Sequence, residues 1–170
     1  KSLSWLDQPR KKPFFMFLHS YDAHEPFSPS KDAVAKLGGA SLEAFTYADI
    51  AQIARGKSVV PPEKGRDINK LYEAGIRDLD AKLGVFLRAI EARGLLKNTL
   101  VIITSDHGQE LGEHGLWAMH GVTLYNEVLW VPLIVYAPDR RAGKEAQVSS
   151  LVDIVPTVLN CLNYGETFFS

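Results

Sequence analysis

Apolar residues in this chain fall into short continuous runs and one long periodic stretch, separated by polar loops. Phe14, Phe15, Met16, Phe17 and Leu18 follow Pro13 without a polar interruption, the pattern of a strand buried on both faces. Residues 99–104 (TLVIIT) form a second such run, rich in β-branched side chains. Residues 131–137 (VPLIVYA) form a third, in which Pro132 must stand at the first position or on an edge, because it has no N–H to give a ladder. Over 67–93 the apolar positions Ile68, Leu71, Tyr72, Ile76, Leu79, Leu83, Phe86 and Ile90 recur at steps of three and four. That spacing predicts an amphipathic helix whose stripe packs on a sheet, with Gly94 as its stop. A shorter helix is expected near 42–55, between the breakers Gly38-Gly39 and Pro61-Pro62, in what reads as a surface excursion. A helical or turn segment is expected over 124–128. A closing helix is expected over 153–162, with Asp153 as N-cap and Pro156 in the first turn. Strands alternating with helices predict an α/β fold with a mainly parallel sheet flanked by helices.

With 46% hydrophobic residues among 170, the chain has the material for one globular unit or a large piece of one. Nineteen Lys plus Arg against twenty Asp plus Glu give a net charge of -1. That balance provides no global field for nucleic acid or an anionic membrane, so an anionic ligand must be held by local groups. Cys161, the single cysteine, excludes an internal disulfide and a cysteine-based zinc cluster, and within the closing helix it reads as a small core residue. No apolar run approaches the roughly 18 residues that a membrane span requires, and residues 1–12 are too polar for a signal peptide. The first residue is not Met, so a fragment of a longer, exported or membrane-anchored protein is an open expectation, and the compartment stays undetermined.

Two polar loops leave the ends of predicted strands, where open α/β sheets build their sites. In SDHGQELGEHG, residues 105–115, Asp106 offers a charged oxygen and His107 a neutral nitrogen to a divalent cation, and Gly108 lets the backbone turn. The same tripeptide also suits an Asp capping a turn beside a partly exposed His. In HSYDAH, residues 19–24, His24 suits donation to an anionic oxygen or delivery of a proton, or a hydrogen bond to nearby backbone. His19 reads as a satisfied core histidine, and Asp22 as closing an Asx-type turn. His114 and His120 follow on a Gly-rich stretch, so four of the five histidines lie within reach of one sheet edge. Glu110 and Glu113 read either as solvated loop charges or as partners orienting imidazoles. Trp117 reads as an anchor for its loop, with a pocket wall as the other reading for it and for Met119.

Taken in order, PFFMFLHSYDAHEPFSP (13–29), YEAGIRDLDAKLGVFLRAIEARG (72–94), NTLVIITSDHGQELGEHGLW (98–117), LYNEVLWVPLIVYAP (124–138) and VDIVPTVLNCL (152–162) resemble the sulfatase family of the alkaline phosphatase superfamily. The resemblance covers most of the chain outside 30–65 and implies an alkaline-phosphatase-like α/β fold, here incomplete. It implies that Asp106 and His107 ligate the active-site metal, with Ca2+ favoured and Mg2+, Mn2+ or Zn2+ admissible, and that His24 contacts the sulfate of a sulfate ester. Where the family has a Lys or His contacting sulfate or the leaving group, this chain has Met119, with His120 one step later as the substitute. The family's C/S-x-P-x-R motif, whose Cys or Ser becomes a formylglycine nucleophile, has no counterpart here, since Cys161 is followed by Leu162 and Asn163. Residues 1–170 are therefore expected to be the C-terminal portion of a metal-dependent sulfuric ester hydrolase, inactive in isolation. Two alternatives stand beside it: a phosphonate or phosphodiester hydrolase or a phosphoglycerol or phosphoethanolamine transferase of the same superfamily, and a non-catalytic binding module.

Overall fold

A computed structural model describes residues 2–38, 46–55, 59–144 and 147–163. The elements in chain order are α1 (Ser2–Leu6), α2 (Lys31–Ala35), α3 (Tyr47–Ala54), α4 (Pro62–Ala92), β1 (Val101–Thr104), β2 (Glu110–Leu111), β3 (Trp117–Met119), α5 (Asn126–Leu129), β4 (Leu133–Tyr136) and α6 (Ile154–Cys161). They divide into two compact units, one made of 1–94 with 107–130 and the other of 95–106 with 131–170.

The first unit is organised by α4. The helix begins five residues before the predicted start, because Pro62 sits in its first turn, where a fixed φ and a missing N–H cost nothing. The Pro-Pro pair is thus a helix start rather than only a breaker. Gly94, at φ +69°, ends the helix as expected, its N–H donating to the Glu91 carbonyl at 2.8 Å. The first half of the stripe is buried through Ile68, Leu71, Ala74 and Gly75, while Leu79, Leu83 and Phe86 are half-buried and Ile76 is 42% exposed. What covers the stripe differs from the expectation of a sheet. Phe27 of the preceding loop, Ala33 and Val34 of α2, Ile53 of α3 and Ala118 of β3 make the core with Ile68, Leu71 and Ala74, and Trp117 packs against it. Trp117 therefore anchors its loop, its indole lying over Gly65 of α4. The helix expected over 42–55 is seen as α3, opened by a capping box in which Thr46 and Asp49 each satisfy the other's backbone N–H. Its portion at 42–45 lies outside the described residues.

The second unit holds an antiparallel ribbon, with Val101 opposite Tyr136 and Thr104 opposite Leu133. β4 starts just after Pro132, as the missing N–H requires, and the Thr104 hydroxyl donates to the Pro132 carbonyl at 2.8 Å. α6 matches the predicted closing helix. Asp153 precedes it but does not cap it: its carboxylate accepts from the Ser150 N–H at 2.9 Å, closing the preceding 3-10 turn. Cys161 is a half-buried free thiol rather than a core residue.

The chain mixes helices and strands, but the mainly parallel sheet is a correction. Among the described residues the strands form two two-stranded antiparallel ladders, β1 with β4 and β2 with β3. Residues 14–18, predicted as a buried strand, run without a ladder partner, and Phe15 and Phe17 are 84% and 76% exposed. An apolar run states which faces seek cover, not which neighbour supplies it, and a strand needs a neighbour's N–H and C=O groups. His19 follows the same correction. It is exposed, touching only Phe17 and Tyr21 through ring contacts among the interactions seen for it, and is no core histidine.

Candidate metal and anion site

His24, His107 and His120 converge in the first unit, from the loop before α2, the turn before β2 and the residue after β3. One nitrogen of each lies within 4.8 Å of the others. His107 and His120 stack with centroids 3.9 Å apart at 16°, and His24 meets His120 edge-on at 5.2 Å.

Local geometry explains each placement. The His24 loop is held by a turn in which the His24 N–H donates to the Tyr21 carbonyl at 3.1 Å. It also sits tightly on α4 at Gly75, where a Cβ would stand 2.7 Å from the Asp22 carbonyl. In place of the expected Asx-type turn, the Ser20 hydroxyl closes a turn by accepting from the Asp22 N–H, and the Asp22 carboxylate takes hydrogen bonds from the Ser20 hydroxyl and from Lys82 of α4. That Lys82 bond, with the Ser20 hydroxyl second, holds the Asp22 carboxyl below its ordinary value of 3.8. After His107 the chain turns at Gly108 and pairs with α5: the Gly108 N–H donates to the Val128 carbonyl at 2.7 Å and the Gln109 N–H to the Glu127 carbonyl at 2.8 Å. Only glycine fits there, since a Cβ would lie 2.0 Å from the Glu127 carbonyl oxygen.

Two of the imidazoles are held through Nδ1 by backbone carbonyls. His24 Nδ1 lies 2.7 Å from the Glu25 carbonyl and His107 Nδ1 2.7 Å from the Gly108 carbonyl. A carbonyl accepts only, so both Nδ1 atoms carry the proton, the tautomer in which Nε2 is the nitrogen that can ligate a cation. Protonated, the same Nε2 donates to an anionic oxygen. The donor set therefore fits both a borderline divalent cation and an anion.

Sequence reasoning missed Glu25. It is 8% exposed, and its carboxylate lies between two imidazoles, Oε2 at 3.4 Å from His24 Nδ1 and Oε1 at 3.5 Å from His120 Nδ1. Oε2 makes no hydrogen bond. A carboxylate so enclosed is unfavourable without compensating positive charge nearby. The signal available was Phe27, an apolar residue two positions on that enters the core and draws Glu25 inward.

The other candidates distribute differently. Asp106 belongs to the second unit, is exposed, and accepts from the Ser105 hydroxyl at 3.5 Å. His114 joins Glu110 and Glu127 instead of the trio. Glu113 accepts from the Leu111 N–H at 2.8 Å, a turn role. Met119 is half-buried in β3. Beside His24 opens a cleft of about 560 Å³ lined by Tyr21, Asp22, Ser28, Asp78 and Lys82 among others, within the range of small-molecule sites. Asp78 accepts from the Ser30 N–H at 2.6 Å and its hydroxyl at 2.8 Å, and the backbone bond chiefly holds its carboxyl below the usual range.

A family model described as Sulfatase matches residues 1–164. The chain belongs to the sulfatase family. Among curated relatives this sulfatase-family chain is similar to mouse (Mus musculus) iduronate 2-sulfatase, 39% identical over 83 residues, which is 49% of the chain and 15% of the relative. It is also similar to dog (Canis lupus familiaris) arylsulfatase K, 36% identical over 96 residues, 56% of the chain and 18% of the relative. The multifunctional alkaline phosphatase superfamily protein PehA of Trinickia caryophylli is 30% identical over 195 residues, 98% of the chain and 37% of the relative. The chain thus spans well under half the length of the relatives it matches. No solved structure matches it. Among the described residues no helix is long and apolar enough to cross a membrane.

Proposed function

We propose that residues 1–170 contribute the metal-binding and anion-contacting portion of a sulfuric ester hydrolase. The observation that carries this reading is the convergence of His24, His107 and His120, one nitrogen of each within 4.8 Å of the others, in a chain of the sulfatase family. Asp106 and His107 ligate a divalent cation, which when bound neutralises charge on the nonbridging oxygens of the ester. His24 and His120 face the sulfuryl oxygens, His120 nearer the leaving oxygen, and Glu25 keeps both rings oriented. Asp106 and His107 make a mixed oxygen and nitrogen pair, which Ca2+ tolerates if the remaining donors are oxygens, whereas full ligation by the imidazoles would select Zn2+. The nucleophile, a formylglycine in the family, is supplied from outside these residues. An anion entering the cleft meets Asp22 and Asp78, both held ionised. The sulfuryl group therefore belongs at the imidazoles and the alcohol portion in the cleft.

A metal titration of the full-length protein with and without Asp106→Ala, and separately His107→Ala, tests the ligand assignment. Each change is expected to weaken binding at least about 10-fold; unchanged affinity in both removes the assignment. The likeness to PehA across nearly the whole chain supports a second reading, hydrolysis of phosphate or phosphonate esters at the same residues. Comparing turnover of an aryl sulfate with that of an aryl phosphodiester by the full-length protein separates the two. Absence of turnover on both, with metal bound, would favour the non-catalytic module.

A further inference from the structure

A second cluster of ligating side chains lies in the first unit and shares no residue with the trio. Glu110 of β2, His114 of the β2–β3 turn and Glu127 of α5 each offer one ligand atom, all within 4.8 Å of one another. Glu110 is 1% exposed; its Oε1 accepts from the Thr123 hydroxyl, while its buried Oε2 makes no hydrogen bond and faces His114 Nδ1 at 3.9 Å. His114 Nδ1 also bonds the Glu127 carboxylate, and its ring stacks on Tyr125 at 3.6 Å and 12°. The ring plane is thus fixed toward both carboxylates.

We propose that Glu110, His114 and Glu127 form a second divalent-cation site. The charge balance argues for it. Two carboxylates, one of them sealed from water, carry two negative charges, and among the described residues no lysine or arginine pairs with either. A protonated His114 offsets only one, and a buried uncompensated carboxylate is strongly unfavourable. A 2+ ion offsets both, fills the vacant coordination of Glu110 Oε2, and takes a nitrogen from a neutral imidazole. One nitrogen with two carboxylate oxygens is a donor set for Zn2+ or Mn2+ rather than Ca2+ or Mg2+. The site ties β2, the β2–β3 turn and α5 together, and none of its three side chains is among those proposed to hold the first metal or the sulfuryl group.

The test is a zinc titration of the full chain, stripped beforehand with a chelator, alongside His114→Gln and Glu127→Gln. Both substitutions are expected to lose one zinc equivalent, or to weaken one binding step at least about 10-fold, with the far-ultraviolet dichroism unchanged. Equal stoichiometry and affinity in all three proteins overturns the proposal. Histidine-labelled NMR of the unsubstituted chain keeps the question decidable should the variants unfold. Zinc must shift the ring signals of His114 as well as those of the trio, and signals of His114 that stay in place through saturation overturn it. Manganese, which broadens signals near its site, serves as the second probe.

Discussion

At the scale of single residues, glycine and carboxylate positions carry the sharpest expectations. Gly108→Ala sets a methyl group against the Glu127 carbonyl at 2.0 Å, a backbone atom that cannot rotate away, so the turn or α5 must shift. A loss of about 3 kcal/mol in urea unfolding is expected, and a variant as stable as the parent would mean that the close approach does not exist. Asp22 gives a pH signature. Its folded pKa is depressed, first by Lys82, so the stabilisation is fully present above 3.8 and fades as pH falls through the lower folded value. Because Lys82 is well exposed, the pair contributes under about 1 kcal/mol. Lys82→Ala is expected to lower stability slightly at pH 7 and to flatten the acid limb below pH 4, read from urea midpoints across that range. A midpoint difference between the two proteins that is the same at pH 3 and pH 7 would remove this account.

At the scale of elements, α4 separates buried from exposed positions that the heptad-like spacing treats alike. Ile68 is 1% exposed and Ile76 42%. Ile68→Ala is expected to cost about 2–5 kcal/mol by cavity formation, and Ile76→Ala under about 1 kcal/mol; equal costs would contradict the packing of α2 and α3 on the first half of the helix. The helix itself was readable because its period is local. Its start was misplaced because Pro61-Pro62 reads as an interruption when only its breaking property is considered. β1 and β4 were readable as strands from their β-branched runs, yet their direction was not, since pairing is chosen by a partner far along the chain. The same holds for residues 14–18: five consecutive apolar residues announce a need for cover and name no neighbour. At the site, His24, His107 and His120 were legible because imidazoles in polar loops are conspicuous, whereas Glu25 was not, since its burial follows from Phe27 entering a core assembled by α2, α3 and α4. The separation of His114 from the other histidines depended on α5 placing Glu127, which no local pattern encodes.

For the whole molecule, uncovered apolar surface and weak charge act together. Leu133, Ile134, Val135 and Tyr136 are all more than 40% exposed, as are Phe15, Phe17 and Leu18, and the net charge is only -1 with a pI near 6.6. Contiguous apolar residues and unpaired strand edges promote association, and little net charge opposes it. The chain is expected to elute above its 18.9 kDa monomer mass near pH 6.6 and to bind an apolar dye. Phe15→Ser with Phe17→Ser should reduce both; monomeric elution without dye binding would show those faces to be covered.

The paired backbone hydrogen bonds from Gly108 and Gln109 to α5 have a thermodynamic corollary. They fasten His107 of one cluster to Glu127 of the other through a few covalent and hydrogen-bonded links, so an occupant of either cluster acts on the same short ladder. Linkage then runs in both directions: whatever factor a cation on Glu127 applies to affinity at His107, an occupant at His107 applies in return. Should both clusters bind as proposed, the ladder that fixes one imidazole would also couple their occupancies reciprocally.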